Sequence, residues 1–467
     1  MDYLYEKLAA TVAAQIEQGI YRPGDRLPGV RNFSRQRDTS VSTAVAVYRK
    51  LEDEGFIEAR PRSGFYVRTR TKVTMAEPAI SKPKQRPGPV SGQALALKLV
   101  KAANDPSMVQ LGAAVPDARF LPTRAIERAL SQAVRQHRLR AVSYEFPPGV
   151  LGLRQQIARR MAESGCQVPA EEIVITNGCQ EALTLALRAV TNPGDVVAIE
   201  SPTFYGLLQV IDTLDLKALE IPTHPRDGIS LQALQLALEQ WPVKACILVP
   251  NYSNPLGYCM PDAQKQQLVE MLSEHKIPLI EDDVYGDLGF SQRRPSTCKA
   301  YDRNDNNFYC SSFSKTLSPG LRIGWIAPGR YQEKIEYLKY VTNLASPTIP
   351  QLALAQLLES GTYERHLRKV RKDYAHAVMR MIEAVERHFP EGTKVTQPRG
   401  GFVIWIELAK SVNSLDLANR LLAESISIAP GPIFSASQKY RNFIRLSCAC
   451  EWNSRIERSL ASIARLL

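Results

Sequence analysis

The chain has 467 residues, 44% of them hydrophobic and 23% charged, enough apolar material for a sizeable core, which excludes a mainly disordered or fibrous protein. No stretch approaches the ~20 consecutive apolar residues of a membrane span, no signal-peptide pattern opens it, and its eight Cys are scattered without a CxxC pair or zinc spacing, as expected of reduced thiols in a cytosolic protein with no structural metal. The net charge of +12 invites an acidic partner (nucleic acid, an anionic membrane or a phosphorylated cofactor) without choosing among them.

In chain order, Leu4, Leu8, Val12 and Ile16 recur every four residues and predict a helix that Gly19 and Pro23-Gly24 end. A short second helix fits Pro28 to Arg37, with Val30 and Phe33 inward. A third fits Ser40 to Glu54, capped by Ser40, with Ala44, Val45, Tyr48 and Leu51 on its core side. The run FIEARPRSGFYVR then reads as a hairpin turning around Pro61–Gly64. Three small helices and a basic hairpin predict a winged helix-turn-helix over residues 1–69.

Ser40, Ser42 and Thr43 at the start of the third helix are short hydroxyl residues suited to phosphate or base-edge contact in a major groove. Arg26, Arg31 and Arg62 add charge directed at phosphates. Residues 1–95 hold 16 basic and 10 acidic side chains, so half of the net charge lies in the first fifth of the chain. These residues alone leave a second reading, a small helical protein-interaction domain with solvated arginines. The wording from Tyr21 to Val67 resembles the GntR family of DNA-binding domains. Gly24 to Arg31 follows G-x-x-L-P-S-x-R, Leu51 through Gly55 to Ile57 follows L-x-x-x-G-x-I, and Gly64 stands in the wing. The resemblance implies double-stranded operator DNA as partner. Gly29 and Val41 depart from the family's usual Ser and Arg, so the operator does not carry over from relatives.

Arg70 to Gln93 is rich in Pro and polar residues with little apolar periodicity, and predicts an extended, semi-rigid linker over 70–95. Beyond it, short apolar runs alternate with helical patterns. Strands are expected at Ile173–Thr176, Val196–Glu200, Ala245–Pro250, Pro278–Asp282, Phe308–Ser312 and Arg322–Ala327, with helices such as Glu181–Val190 and Gln264–His275 between them. This alternation predicts an α/β domain with a mostly parallel sheet, whose ligands bind at the carboxyl ends of strands.

The polar motifs fall at those ends. Lys315 follows a buried strand among hydroxyls, seven residues before Arg322. It reads either as a surface-loop lysine or as a pocket amine that forms a Schiff base with a carbonyl cofactor. Ser312, Ser314 and Arg322 suit a phosphate, and Gly178-Cys179-Gln180, ahead of a helix, can aim backbone N–H groups at one. Asp282 at a strand end can pair with a protonated ring nitrogen, while Asn254 and Tyr285 can bond a ring hydroxyl. Singly, each has a structural explanation: Asn254-Pro255 a turn, Asp282 a helix cap, Gly178 a close packing point. Together they make an inventory for pyridoxal 5′-phosphate.

The motifs YEFPPGVLGLR, TNGCQEAL, ESPTFYG, NYSNPLG, EDDVYGDL, SSFSKTLSPGLRIGW, QPRGGFVIWIEL and FIRLSCA occur in that order from residue 144 to 449. Residues from about 110 to 467 resemble a fold-type I aminotransferase of the aspartate and kynurenine/aminoadipate group. The resemblance implies that Lys315 carries pyridoxal phosphate as an internal aldimine, that Asp282 pairs with its ring nitrogen, and that Asn254 and Tyr285 bind its hydroxyl. It further implies that Phe204, ahead of Tyr205, stacks on the ring, and that Gly178, Cys179, Gln180, Ser312, Ser314 and Arg322 hold the phosphate. Arg445 matches the arginine that clamps a substrate α-carboxylate. Tyr144 matches a tyrosine that reaches the partner subunit's phosphate, implying a homodimer. Cys179 departs from the hydroxyl residue common at its position, which puts side-chain help to the phosphate in doubt.

End to end, the chain resembles the MocR (GabR-like) regulators: a winged helix over 1–69, a linker over 70–95 and an aminotransferase-like domain over 96–467. The large lobe of that domain is expected at about 140–340, the small lobe in the C-terminal part plus 96–130. The function implied is a cytoplasmic transcriptional regulator sensing pyridoxal phosphate, an amino acid or an amine. Two alternatives stay open: an active aminotransferase with an accessory DNA-binding domain, and a sensor of pyridoxal phosphate alone controlling vitamin B6 genes.

Overall fold

Ser40 accepts a hydrogen bond on Oγ from the Thr43 N–H at 3.0 Å, satisfying one of the orphan donors of the helix that follows. The computed structural model describes residues 4–53, 55–60, 63–68, 75–102, 104–291 and 293–467. The chain divides into two units, the first reaching to Thr74 and the second holding Met75–Gly289 and Arg293–Leu467.

The first unit packs α1 (Leu4–Glu17), α2 (Val30–Gln36) and α3 (Val41–Asp53) beside a hairpin of β1 (Ile57–Arg60) and β2 (Gly64–Val67). The hairpin is antiparallel, with Arg60 opposite Gly64. Its core gathers Ala9, Val12, Ala13, Leu27, Phe33, Tyr48 and Leu51. The expected four-residue stripe of α1 is only partly inward, for Leu4 is 59% exposed while Ala9 and Ala13 are buried. A row spaced by four drifts about 40° per step around a helix of 3.6 residues per turn, so the buried face leaves it. In α3 the same arithmetic buries Val47, with Val45 half-buried.

The second unit begins with chain that has little regular structure but is docked. Ser81 exchanges hydrogen bonds with Thr223 at 3.1 and 2.8 Å, Gly88 with Ala218 at 3.1 and 2.9 Å, and Ser91 donates to the Ala436 carbonyl. Of the segment expected as a linker, residues 76–91 bond along the larger unit. It is followed by α4 (Gln93–Ala102) and a short strand, β3 (Val109–Gln110).

The main sheet comprises β4 (Val174–Thr176), β5 (Val196–Ser201), β6 (Lys217–His224), β7 (Gly228–Ile229), β8 (Val243–Leu248), β9 (Leu279–Asp282), β10 (Phe308–Ser312) and β11 (Gly324–Ala327). Among the described residues its order is β4-β11-β10-β9-β8-β5-β6-β7. The pairs β5–β6, β5–β8, β8–β9 and β9–β10 are parallel, while β11 runs antiparallel to both neighbours. All six anticipated strands occur. Strand β6 was not anticipated: its run KALEIPTH mixes charge and a proline, which suits a strand near an edge. The short β7 covers only Thr223 and His224 of that edge. The 81–88 segment bonds to it at Ala218 and Thr223 and leaves fewer unpaired backbone groups.

A second sheet carries β12 (Lys394–Val395), β13 (Val403–Glu407), β15 (Ala429–Pro430) and β16 (Phe443–Ser447), in the order β12-β13-β16-β15. Strand β14 (Ile426–Ser427) pairs instead with β3. The main sheet thus ends Thr176, Ser201, Leu248, Asp282 and Ser312 at one side, where the loops carrying the chemistry begin.

Candidate cofactor and effector site

Lys315 follows β10 by three residues and is half-buried, its Nζ donating to the Ala114 carbonyl at 2.6 Å. Burial, then the positive charge of Arg445, outweigh Asp282 and push the amine down to about 8. It makes no ion pair within 4.0 Å among the described residues. A lysine so placed is neutral far more often than a surface lysine, as a nucleophilic amine requires.

Asp282 ends β9 and is buried, and burial raises its carboxyl to about 6 against two hydrogen bonds. Both fall on Oδ1: the Val284 N–H at 3.2 Å and the Cys179 thiol at 3.4 Å. Oδ2 accepts none among the described residues. Asp283, next in the chain, does different work. It accepts from Asn251 at 2.9 Å, Arg294 at 2.6 Å and Tyr309 at 2.8 Å, a network that Arg294 extends to Asp287 at 2.6 Å and Arg160 to Asp287 at 2.8 Å. Sequence reasoning singled out Asp282 for the ring nitrogen but gave Asp283 no role, and the acidic run EDDVYGDL was the available signal for this network.

Arg445 stands on β16 between Trp405 and Ala429, wholly buried. Its Nη1 donates to Asn254 Oδ1 at 3.1 Å, Nη2 donates to the Gly112 carbonyl, and Nε has no partner. Its guanidinium lies 5.2 Å from the centre of the Phe434 ring. No carboxylate pairs with it among the described residues, which is unusual for a buried cation. The Tyr285 hydroxyl is also buried without a hydrogen-bond partner, although it lies near Asn254 and Asp282.

A cradle of backbone and polar side chains forms where β4 meets α7 (Cys179–Val190). Gly178 is the N-cap with φ 83°, and a Cβ there would come 2.4 Å from Arg322 Nη2, so the close approach requires glycine. Arg322 itself has φ 53° and donates to the Asn177 carbonyl at 2.8 Å and to Ser314 Oγ at 3.4 Å. The Ser314 N–H reaches Ser312 Oγ at 3.4 Å. The first N–H groups of α7 have no intrahelical acceptor and carry the helix's positive end.

Most of the candidates therefore converge, with differences of detail. The Cys179 thiol meets Asp282, so only its backbone N–H remains for a phosphate. Gln180 is exposed, with its amide donating to the Gly206 carbonyl at 2.8 Å. Phe204 is half-buried at the end of the β5 loop, while Tyr205 is buried against Phe434, with ring centres 5.7 Å apart. Tyr144 lies 71% exposed, stacked on Phe146 at 5.6 Å. The Gly112 and Ala114 carbonyls went unanticipated; the short run LGAAVP that carries them has no motif character.

These groups fit pyridoxal 5′-phosphate. Lys315 would hold its carbonyl carbon, Asp282 Oδ2 its ring nitrogen, Tyr285 and Asn254 its hydroxyl, and the α7 start with Ser312, Ser314 and Arg322 its phosphate. The orphaned Tyr285 hydroxyl and the glycine-dependent cradle carry that fit.

In the first unit, Ser40, Ser42 and Thr43 cluster at the start of α3, with Ser40 Oγ 2.8 Å from both other hydroxyl oxygens. Arg26 and Gly64 also meet, for a Cβ on Gly64 (φ 110°) would lie 3.2 Å from Arg26 Nε. Arg31 is exposed on α2, and Arg62 lies outside the described residues. The hairpin brings a further cation, Arg60, over the Tyr66 ring at 4.4 Å. Alternation along β1 and β2 was the signal that would have found it.

Comparisons with known proteins agree with both halves. The family of aminotransferases class I and II matches residues 107–463, and the bacterial regulatory proteins of the gntR family match residues 4–67. The chain is 42% identical to the uncharacterized HTH-type transcriptional regulator YjiR of Escherichia coli (strain K12), over 98% of this chain and 97% of that protein. It is 40% identical to YdcR of the same organism, over 99% and 98%. The kynurenine aminotransferase of Pyrococcus horikoshii superposes with a TM-score of 0.74 at 28% identity, over 80% of this chain and 94% of that one. LysN, the α-aminoadipate aminotransferase of Thermus thermophilus, solved with N-(5′-phosphopyridoxyl)-L-leucine, superposes at 0.74 and 27% identity, over 80% and 94%. This chain belongs to the aminotransferase class I and II family, in the MocR-like arrangement that sets a GntR helix-turn-helix before the aminotransferase fold.

Proposed function

We propose that the protein is a DNA-binding transcriptional regulator whose larger unit holds pyridoxal 5′-phosphate on Lys315 and reads an amino acid or amine there. The observation that carries this is the pair of cations, Lys315 and Arg445, neither ion-paired among the described residues, in a chain that also bears a winged helix. The cofactor supplies an aldehyde that condenses reversibly with primary amines and a ring that withdraws electrons.

The chain's own residues do the rest. Lys315 offers a neutral amine near pH 8. Asp282 favours a protonated ring nitrogen. Arg445 takes a ligand carboxylate through a guanidinium already desolvated by the fold, so little solvent reorganisation accompanies binding. Arg322 and the start of α7 hold a phosphate against solvent. On the first unit, the hydroxyl cluster of α3 faces a major groove, and Arg26 and Arg31 face phosphates. The effector controls DNA binding only by binding the DNA-competent and incompetent states with different affinities.

A homodimer is part of the proposal. Leu139, Val142 and Tyr144 are 82%, 81% and 71% exposed within one short stretch, an apolar surface that a second copy would cover, bringing Tyr144 to the partner's phosphate.

The test is binding of the full-length protein to its own promoter fragment, with and without pyridoxal phosphate and a panel of amino acids. Salt-dependent specific binding that changes with an amino acid is the expected result. A response to the cofactor alone supports the narrower sensor. Sustained turnover with a keto acid and no specific DNA binding supports the accessory-domain aminotransferase and overturns the proposal.

A further inference from the structure

Cys179 opens α7, directly after the glycine of the phosphate cradle, at a position where a hydroxyl would serve the phosphate. Its side chain goes elsewhere. The thiol is 3.4 Å from Asp282 Oδ1, which also accepts the Val284 N–H at 3.2 Å. Oδ2 of the same carboxylate has no donor among the described residues, although the residue is only 8% exposed. Two donors on one oxygen and none on the other leave the carboxylate with one free, directed edge.

We propose that Cys179 is a positioning residue whose thiol pins Asp282 by Oδ1, so that Oδ2 is presented to the ring nitrogen of pyridoxal phosphate. The inference rests on the cofactor reading given above and adds to it a side chain that this chain uses differently. The thiol is suited to the task because it stays protonated: burial and then the Asp282 charge raise its pKa well above normal. It therefore acts as a donor, never as a thiolate repelling the carboxylate, and its burial keeps it unreactive. A thiol is also a weak donor, so it orients Oδ1 while withdrawing little charge from the group.

The titratable and charged neighbours of Asp282 are Lys315, Asp283, Glu200, Cys310 and Tyr285. None of them donates a hydrogen bond to its carboxylate. With Cys179 removed, the Val284 N–H is the one hydrogen bond left on the side chain among the described residues, and the carboxylate is less firmly oriented.

Two measurements on the full-length protein test this. In the first, wild type and Cys179→Ala are loaded with pyridoxal phosphate and the pH midpoint of the visible band is followed. A misdirected carboxylate stabilises the protonated ring nitrogen less, which makes the attached groups less acidic. The midpoint should rise by ~0.5 pH unit in Cys179→Ala and return toward wild type in Cys179→Ser. A midpoint that stays in place overturns the proposal. So does one that falls, as it would if the thiol only drained charge from the carboxylate.

The second measurement is infrared, on cofactor-free protein. The S–H stretching band that disappears in the Cys179→Ala difference spectrum should lie at lower frequency than a free thiol and shift upward in Asp282→Asn. A band at the free-thiol frequency overturns the contact itself. If wild type takes up no pyridoxal phosphate, the cofactor reading fails, while the infrared result still decides whether Cys179 holds Asp282.

Discussion

Arg445 and Asn254 meet at 3.1 Å, joining β16 of the second sheet to the loop that follows β8 of the first. Asn254 thereby presents the guanidinium through its amide oxygen, with the Tyr285 hydroxyl close by. Arg445→Lys keeps the charge but loses the planar fork. Binding of α-amino acids should weaken by roughly 30- to 150-fold, corresponding to ~2–3 kcal/mol for a charge-assisted pair. Amines without a carboxylate should bind as before. Spectral titration of the bound cofactor with matched amino acid and amine pairs checks this; an equal loss for both classes would remove Arg445 from carboxylate recognition.

Lys315 sets a pH dependence. Its amine is pushed down to about 8, so the neutral, reactive fraction grows as pH rises toward that value and saturates beyond it. Covalent capture of pyridoxal phosphate should accelerate about tenfold per pH unit between pH 6 and 7 and flatten above pH 8. Stopped-flow absorbance gives the profile. Lys315→Ala should show no borohydride-fixed adduct by mass spectrometry yet retain weak binding through the phosphate cradle.

Arg26 and Gly64 occupy one corner of the wing. Arg26→Ala should weaken binding to all DNA sequences alike and lower the slope of log affinity against log salt by about 1. Gly64→Val acts through the backbone. A branched side chain at φ 110° is strained, and its Cβ would also press on Arg26 Nε at 3.2 Å. It should therefore lose DNA affinity more than Arg26→Ala, with cofactor uptake unchanged, as fluorescence anisotropy and absorbance would report.

Asp287 anchors the buried ionic network of the larger unit, receiving Arg294 Nε at 2.6 Å, Arg160 Nη2 at 2.8 Å and the Tyr363 hydroxyl at 3.2 Å. Burial alone would raise its carboxyl, but Arg160 and Arg294 outweigh that and hold it well below the ordinary carboxylate range. A folded pKa below the unfolded one means the stabilisation is present above about pH 4 and is lost as pH falls through the folded value. Asp287→Asn removes the charge that Arg160 and Arg294 share, leaving Arg294 with Asp283 and Arg160 with Glu364, and should cost about 2–3 kcal/mol at neutral pH, with a smaller difference in acid. Thermal melts of both proteins across pH would show the gap closing.

Much of the site was legible because its chemistry lies in contiguous words. Lys315, Ser312, Ser314 and Arg322 sit within one stretch of 11 residues, and Gly178 precedes a helix that the pattern of apolar residues reveals. The main strands could be read for a similar reason: a strand buried on both faces carries an apolar run, as in VVAI of β5 and ACIL of β8. Strand β6 escaped because an edge position tolerates charge and proline. The docking of residues 76–91 escaped because proline-rich chain looks the same whether it is free or bonded along a sheet.

The sequence by itself determined the joining of a GntR-like part to an aminotransferase-like part and the fold class of each, and it nominated the amine, the carboxylate and the arginines, since local pattern and motif order encode them. The tertiary structure alone decided that Asp282 rather than Asp283 has a free oxygen, that Arg445 has no counter-ion among the described residues, and that the Cys179 thiol turns from the phosphate cradle to a carboxylate 103 residues away. Each of those outcomes depends on which distant groups share a small, poorly solvated volume. In such a volume a single hydrogen bond decides which atom stays available, and sequence spacing carries no record of it.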